Sequence, residues 1–169
     1  MNTQLLETLA TFLESFPKDQ IENNKFNLSG WMVSNEYASR EFDDKPQIKE
    51  SDNPFSSIND ENYNIVEPNY CQTVGCAMGW ATTIPEFKEL GLFLITSALA
   101  LNETEIHYKS RYGMRAVQKF FDFQDVDTAS ILFSPDYYNP KDITNPLIVA
   151  KRIRLLIKID EVIFNRIDF

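Results

Sequence analysis

Hydrophobic side chains recur every three or four positions in the first part of the chain, which is the spacing of one face of an α-helix. Thr3 is a candidate N-cap, and Pro17 would end the helix. The apolar positions are Leu5, Leu6, Leu9, Phe12, Leu13 and Phe16. This pattern predicts an amphipathic helix over 3–16.

The same spacing returns at the far end of the chain. Asn145 can cap a helix, Pro146 suits its first position, and the pattern continues to about Asp168. The predicted buried stripe is Val149, Ile153, Leu156, Ile157, Ile163, Phe164 and Ile167. We predict that this second amphipathic helix packs against the turn around Cys76, near the centre of the molecule.

Between these ends the pattern changes several times. A short helix is predicted over 77–83, and one more helical turn ends at Gly91, a C′ glycine. The runs "LFLITSALAL" and "IHYKSRY" flank "NETE", and their Leu, Ile, Phe, Thr and Tyr content predicts a β-hairpin. A continuous helix is the alternative, because Ala and Leu favour it.

Two further helices are predicted after the hairpin. "MRAVQKFFDF" places Ala116, Val117, Phe120 and Phe121 on one face, and "DVDTASILF" begins with an Asp that can cap it. Taken together, the elements indicate a mainly α (α+β) fold. We expect one compact helical domain over 1–169, with a small β-hairpin and a long acidic surface excursion.

The excursion covers 35–69, where Asp, Asn, Glu, Ser and Pro dominate. A loop of this length within a domain is unusual and is often functional. Its candidate binding residues are Glu41, Asp43, Asp44, Glu50, Asp52, Asp60 and Glu61. We expect them to present an acidic surface to a protein partner.

The acidic composition of the chain indicates which class of macromolecule it would bind. The chain has 169 residues and a net charge of −9, so it repels nucleic-acid backbones and anionic membranes and suits a protein with a basic surface. No signal-peptide pattern and no apolar run of spanning length is present in the sequence, which favours the cytoplasm of a bacterial host and no membrane association. No motif indicates a cofactor.

The run "CQTVGCAMGWA" holds both cysteines of the chain. Cys71 and Cys76, with the single histidine His107, form the one Cys–His set available for a metal site or a nucleophilic thiol. A zinc site would still need a carboxylate as its fourth ligand. The favoured interpretation is a tightly packed helix start with inert thiols, because the small residues around Cys76 allow close approach of another segment.

Other charged groups have simpler interpretations. Asp122, Asp125 and Asp127 could hold Mg²⁺ or Ca²⁺ but lack the EF-hand spacing, and helix capping accounts for two of them. A basic strip on the last helix, formed by Lys151, Arg154 and Lys158, could hold an anion or an acidic partner. Such a strip is more often a solvated face.

The run "CQTVGCAMGWA" resembles a motif found in small uncharacterised proteins of bacteria and their phages. Its positions here are Cys71, Thr73, Gly75, Cys76, Gly79 and Trp80, with Gln72 in place of the usual glycine and Trp80 where many relatives carry His. Later segments, "KFFDF", "LFSPDYY", "KDIT" and "VAKRIRLLI", occur in the same order. The resemblance covers about 26–32 and 70–157 and implies a bacterial or phage setting, with no established activity. It also draws attention to Arg152, which we expect to pair with Asp142.

The sequence thus favours a non-enzymatic acidic binding or inhibitory protein of phage or mobile-element origin. Its target would be a host protein, such as one of defence or nucleic-acid handling. The alternative is an enzyme or metal-binding protein built on Cys71, Cys76 and His107. A third hypothesis is a structural or regulatory module that oligomerises.

Overall fold

The computed structural model describes residues 1–29, 32–34, 63–65, 73–97 and 104–164. Helices predominate among them, and the strands form small antiparallel sheets, so the predicted mainly α (α+β) fold is confirmed. The described helices are α1 (Thr3–Glu14), α2 (Lys18–Glu22), α3 (Ala77–Ala81), α4 (Pro85–Glu89), α5 (Gly113–Phe121), α6 (Val126–Phe133) and α7 (Pro146–Phe164), with a 3₁₀ turn at Pro135–Tyr137.

Helix α1 forms where the hydrophobic spacing predicted it. Every residue of its predicted stripe is buried except Phe12, which is half-buried against the core. The N-cap is Asn2 and not Thr3, because Asn2 has extended backbone and its Oδ1 accepts a hydrogen bond from the Leu5 N–H at 3.1 Å. Thr3 is the first residue of the helix itself.

The predicted hairpin is confirmed, and it belongs to a larger sheet. The described strands are β1 (Met32–Ser34), β2 (Tyr63–Ile65), β3 (Thr73–Gly75), β4 (Leu92–Ser97), β5 (Thr104–Tyr108) and β6 (Arg111–Tyr112). β1 pairs with β3, and the other four are ordered β2-β4-β5-β6, all antiparallel. Thr104 and Glu105 are already part of β5, so "NETE" is not simply the connection between the strands.

The acidic excursion at 35–69 lies outside the described residues, apart from Tyr63–Ile65. That segment was predicted as loop but forms β2, which pairs with β4 in the register Tyr63 with Ser97. Its Tyr and Ile are residue types that favour strands, and the surrounding Pro and Asp obscured this signal.

Helix α7 starts as predicted, because Asn145 Oδ1 accepts from the Leu147 N–H at 3.0 Å and Pro146 occupies the first position. Its packing partner was predicted wrongly. The helix lies mainly along α1, whereas it makes few contacts at most with α3, the helix that follows Cys76. A hydrophobic stripe shows that a helix face is buried but does not specify which element covers it.

One cluster of buried side chains joins α1, α3, α4, β4, β5, α5, α6 and α7. Trp80 on α3 is fully buried, and its ring meets Phe16 edge-to-face with centroids 5.3 Å apart. Its Nε1–H donates to the carbonyl oxygen of Lys25 at 3.0 Å. Trp80 therefore ties the turn after Cys76 to the segment that follows α1 and α2.

Candidate functional site

The thiol of Cys76 lies inside the core. Cys76 is the N-cap of α3 and is 2 % exposed, and its Sγ accepts a hydrogen bond from the Gly79 N–H at 3.4 Å. Burial raises the pKa of Cys76 from 9.0 to about 11, since desolvation of the thiolate outweighs the backbone hydrogen bonds that lower it. Cys76 is thus a protonated thiol at neutral pH, which is a poor nucleophile.

The small residues around Cys76 do permit a close approach, but by another segment than the one predicted. The Gly75 N–H donates to the Lys25 carbonyl and the Asn27 N–H donates to the Gly75 carbonyl, both at 3.0 Å. Phe26 forms a parallel bridge with Gly75. The covering segment is therefore 25–27, and the last helix lies elsewhere.

His107 lies on β5, where side chains alternate between the two faces of the sheet. Ile106 and Tyr108 face the core cluster that contains Cys76. His107 is only half-buried and lies against Tyr112, with ring centroids 5.0 Å apart. The imidazole therefore faces away from the core that holds the Cys76 thiol, and the chain has no other histidine.

Several predicted site residues are not placed together by the described structure. Cys71 lies outside the described residues, and so do the predicted binding acids Glu41, Asp43, Asp44, Glu50, Asp52, Asp60 and Glu61. Where side chains are described, no three His, Cys, Asp or Glu residues form a group that could hold a metal ion.

The acidic cluster after α5 serves helix termini. Asp125 caps α6, since its Oδ1 accepts from the Thr128 N–H at 2.7 Å and from the Thr128 hydroxyl at 2.9 Å. These hydrogen bonds lower the pKa of the Asp125 carboxyl. Asp122 ends α5 in the left-handed conformation, with φ of 55°. Side-chain capping thus accounts for Asp125, and Asp127 lies in the first turn of α6, where the helix dipole favours negative charge.

Arg152 does not pair with Asp142, so that prediction was wrong. Its guanidinium donates to the carbonyls of Ile131, at 3.1 Å, and Tyr137, and it stacks 3.7 Å from the ring centroid of Tyr138. Asp142 instead accepts from the Asn139 amide. Ile131 lies in the last turn of α6 and Tyr137 ends the 3₁₀ turn, and carbonyls at such ends lack partners within the helix. They therefore offer a planar cation two acceptors at once.

The predicted basic strip on α7 divides into two parts. Arg154 turns towards α1, where it pairs with Glu7 and forms a bidentate pair with Glu14 at 3.0 and 3.1 Å. Lys151 and Lys158 are exposed. Arg154 is therefore an internal connection between two helices and not part of a solvated face.

An exposed apolar surface on α7 was not found from the sequence. Leu155, Ile159 and Val162 are 57, 48 and 47 % exposed, and we call these three residues the α7 apolar stripe. Their spacing of four and three residues places them on one face of the helix. That spacing is visible in the sequence, but the longer apolar stripe through Val149 and Ile153 on the same helix masks it.

No protein-family model, no curated protein and no solved structure matches this chain. The resemblance to small bacterial and phage proteins therefore rests on the motif residues alone. None of the helices in the described part of the chain combines the length and apolar character needed to cross a membrane.

Proposed function

We propose that this protein is a non-enzymatic binding protein that docks on another protein through the α7 apolar stripe. The observation that carries the proposal is the half-exposed row of Leu155, Ile159 and Val162 on a helix that the core holds firmly on its other side. Contiguous apolar surface on a helix rimmed by charge is typical of helix-in-groove recognition.

Charge indicates which kind of protein would cover the stripe. Two copies of a chain with net charge −9 repel each other, so a heterologous partner with a basic surface fits better than a second copy. Lys151 and Lys158 lie beside the stripe, so the attraction would come from acidic residues elsewhere on the chain. The acidic residues of 35–69 would add to this attraction. The motif resemblance suggests a bacterial host protein, such as one that handles nucleic acid, which the protein would inhibit by occupying its basic surface.

The chemistry of Cys76 supports a binding role over a nucleophilic site built on Cys76 and His107. A buried thiol with a raised pKa is not activated, and the imidazole of His107 lies on the other face of the sheet. A nucleophilic cysteine needs both a lowered pKa and an adjacent base.

The exposed area of the stripe sets its expected contribution to the free energy of partner binding. Full burial of a Leu or Ile side chain contributes about 1.5–3 kcal/mol, so covering the exposed half of Leu155 and Ile159 contributes roughly 2 kcal/mol in total. This corresponds to about a thirtyfold change in Kd. Replacing both residues with Gln should therefore weaken partner binding by at least about tenfold.

The test compares three tagged proteins in bacterial lysate at low and high salt: the parent, Leu155→Gln/Ile159→Gln, and Leu90→Gln. Leu90 is the control, because it is 48 % exposed and is the C-cap of α4, away from α7. We expect a salt-sensitive partner with a basic surface that the parent and Leu90→Gln retain and the stripe variant loses. The partner is then identified and its binding reproduced with purified components.

Two results would overturn the proposal. One is retention of every captured protein by the stripe variant. The other is self-association of the purified parent, measured by light scattering and abolished in the stripe variant, because the stripe would then serve a second copy of the chain.

A further inference from the structure

A cleft of about 370 Å³ runs along the outer side of α5, next to the end of the β5–β6 hairpin. Its charged lining is opposite in sign to the chain as a whole. The lining residues are Arg111, Arg115, Gln118, Lys119, Asp122 and Phe123, and we call this the basic cleft. The three cations follow one another at intervals of four residues, a spacing that is visible in the sequence.

Two of the cations lie at positions that the electrostatics within α5 do not favour. Arg115 is in the first turn of α5, a position where the helix dipole favours negative charge, and that turn contains no acidic residue. Lys119 follows one turn later on the same face, and like charges at this spacing destabilise a helix. A bound anion would stabilise both positions.

The single carboxylate of the cleft does not cancel its charge. Asp122 lies 4.0 Å from the N-terminal ammonium of Met1, so part of its charge is already matched. Arg111 and Lys119 are both exposed, and their charged groups remain accessible from solvent. The cleft therefore combines three accessible or partly accessible cations with one partly neutralised anion.

The floor of the cleft is held in place by the end of α5. The left-handed turn at Asp122 directs Phe123 back into the core, where its ring packs beside Phe121 with centroids 5.7 Å apart. The Gln118 amide donates to the carbonyls of Phe123 and Gln124 at 3.5 and 3.4 Å. The cations thus surround a preformed depression on a rigid element, and binding there would require little ordering.

We propose that the basic cleft binds a small molecule that carries a di- or triphosphate group. Two guanidinium groups can each form bidentate hydrogen bonds with phosphate oxygens, and three cations match the charge of such a group better than that of a monocarboxylate. A long nucleic acid is disfavoured because the net charge of −9 repels its other phosphates. The volume lies within the range of small-molecule sites.

The test is a calorimetric titration of the full-length protein with inorganic pyrophosphate, and with acetate as the carboxylate control. We expect saturable 1:1 binding of pyrophosphate and none of acetate. The variant Arg111→Gln/Arg115→Gln should weaken the pyrophosphate Kd by at least about tenfold. Lys119→Gln alone should weaken it less, and it provides a second variant should the first fail to fold by circular dichroism.

Lys151→Gln/Lys158→Gln is the matched control, since it removes two exposed cations from α7 and changes the net charge equally. Its pyrophosphate Kd should equal that of the parent. An equal loss in this control would show diffuse attraction and overturn the proposal. Absence of saturable pyrophosphate binding to the parent, or tighter binding of a single-stranded oligonucleotide than of pyrophosphate, would also overturn it.

Discussion

The reactivity of Cys76 gives a quantitative test of the packed-turn interpretation. In Cys71→Ser protein, Cys76 is the one remaining thiol. Its pKa of about 11, against an ordinary 9.0, lowers the thiolate fraction near pH 8 by about 100-fold. Because the side chain is also 2 % exposed, a reagent must wait for local opening of the structure. We expect iodoacetamide to label native Cys76 at least about 100-fold more slowly than the unfolded chain.

The assay follows labelling by intact-protein mass spectrometry, in buffer and in increasing guanidinium chloride. The labelling rate of Cys76 should rise steeply across the unfolding transition and not before it. Fast labelling of Cys76 in buffer would refute the argument, because it would place the sulfur at an accessible surface. That result would support the Cys–His interpretation instead.

Three other predictions concern stability, each measured by denaturant unfolding. Arg154→Gln removes the connection from α7 to Glu7 and Glu14 and should cost about 1 kcal/mol, with the loss shrinking at high salt; a cost unaffected by salt would contradict an ionic contribution. Arg152→Lys loses a planar donor to two carbonyls and should cost about 1–2 kcal/mol, so an unchanged midpoint would contradict that role. The raised pKa of Cys76 means that the folded state favours the thiol. The stabilisation that the thiol gives to the folded state is therefore complete below pH 9 and is lost as pH rises towards 11. The stability advantage of the parent over Cys76→Ala should then shrink by up to about 2.7 kcal/mol, and a constant difference would contradict the pKa assignment.

Local features of the fold could be predicted because each depends on neighbouring residues. The Asn145–Pro146 start of α7 and the Asp125 cap of α6 need only a side chain and the next turn of backbone. Gly91 follows α4 with φ of 91°, as its C′ assignment required. The Phe, Ile and Thr of β4 favour a strand, and this preference outweighs the helical tendency of its leucines.

Long-range features could not be predicted in the same way. The partner of α7 is α1, more than 130 residues away, and nothing in either stripe specifies the other. Arg152 was assigned to a nearby carboxylate because charge is visible in a sequence, whereas the free carbonyls at the end of a helix are not. The basic cleft requires the turn at Asp122, which a residue-by-residue pattern does not show.

The central claim is that the α7 apolar stripe is the surface through which this protein binds a basic partner. The most direct measurement is the Kd of the purified partner for the parent, for Leu155→Gln/Ile159→Gln and for Leu90→Gln, at two ionic strengths. We predict a loss of about tenfold to thirtyfold for the stripe variant, none for Leu90→Gln, and weaker binding of the parent at high salt. Equal affinities for all three proteins would contradict the account.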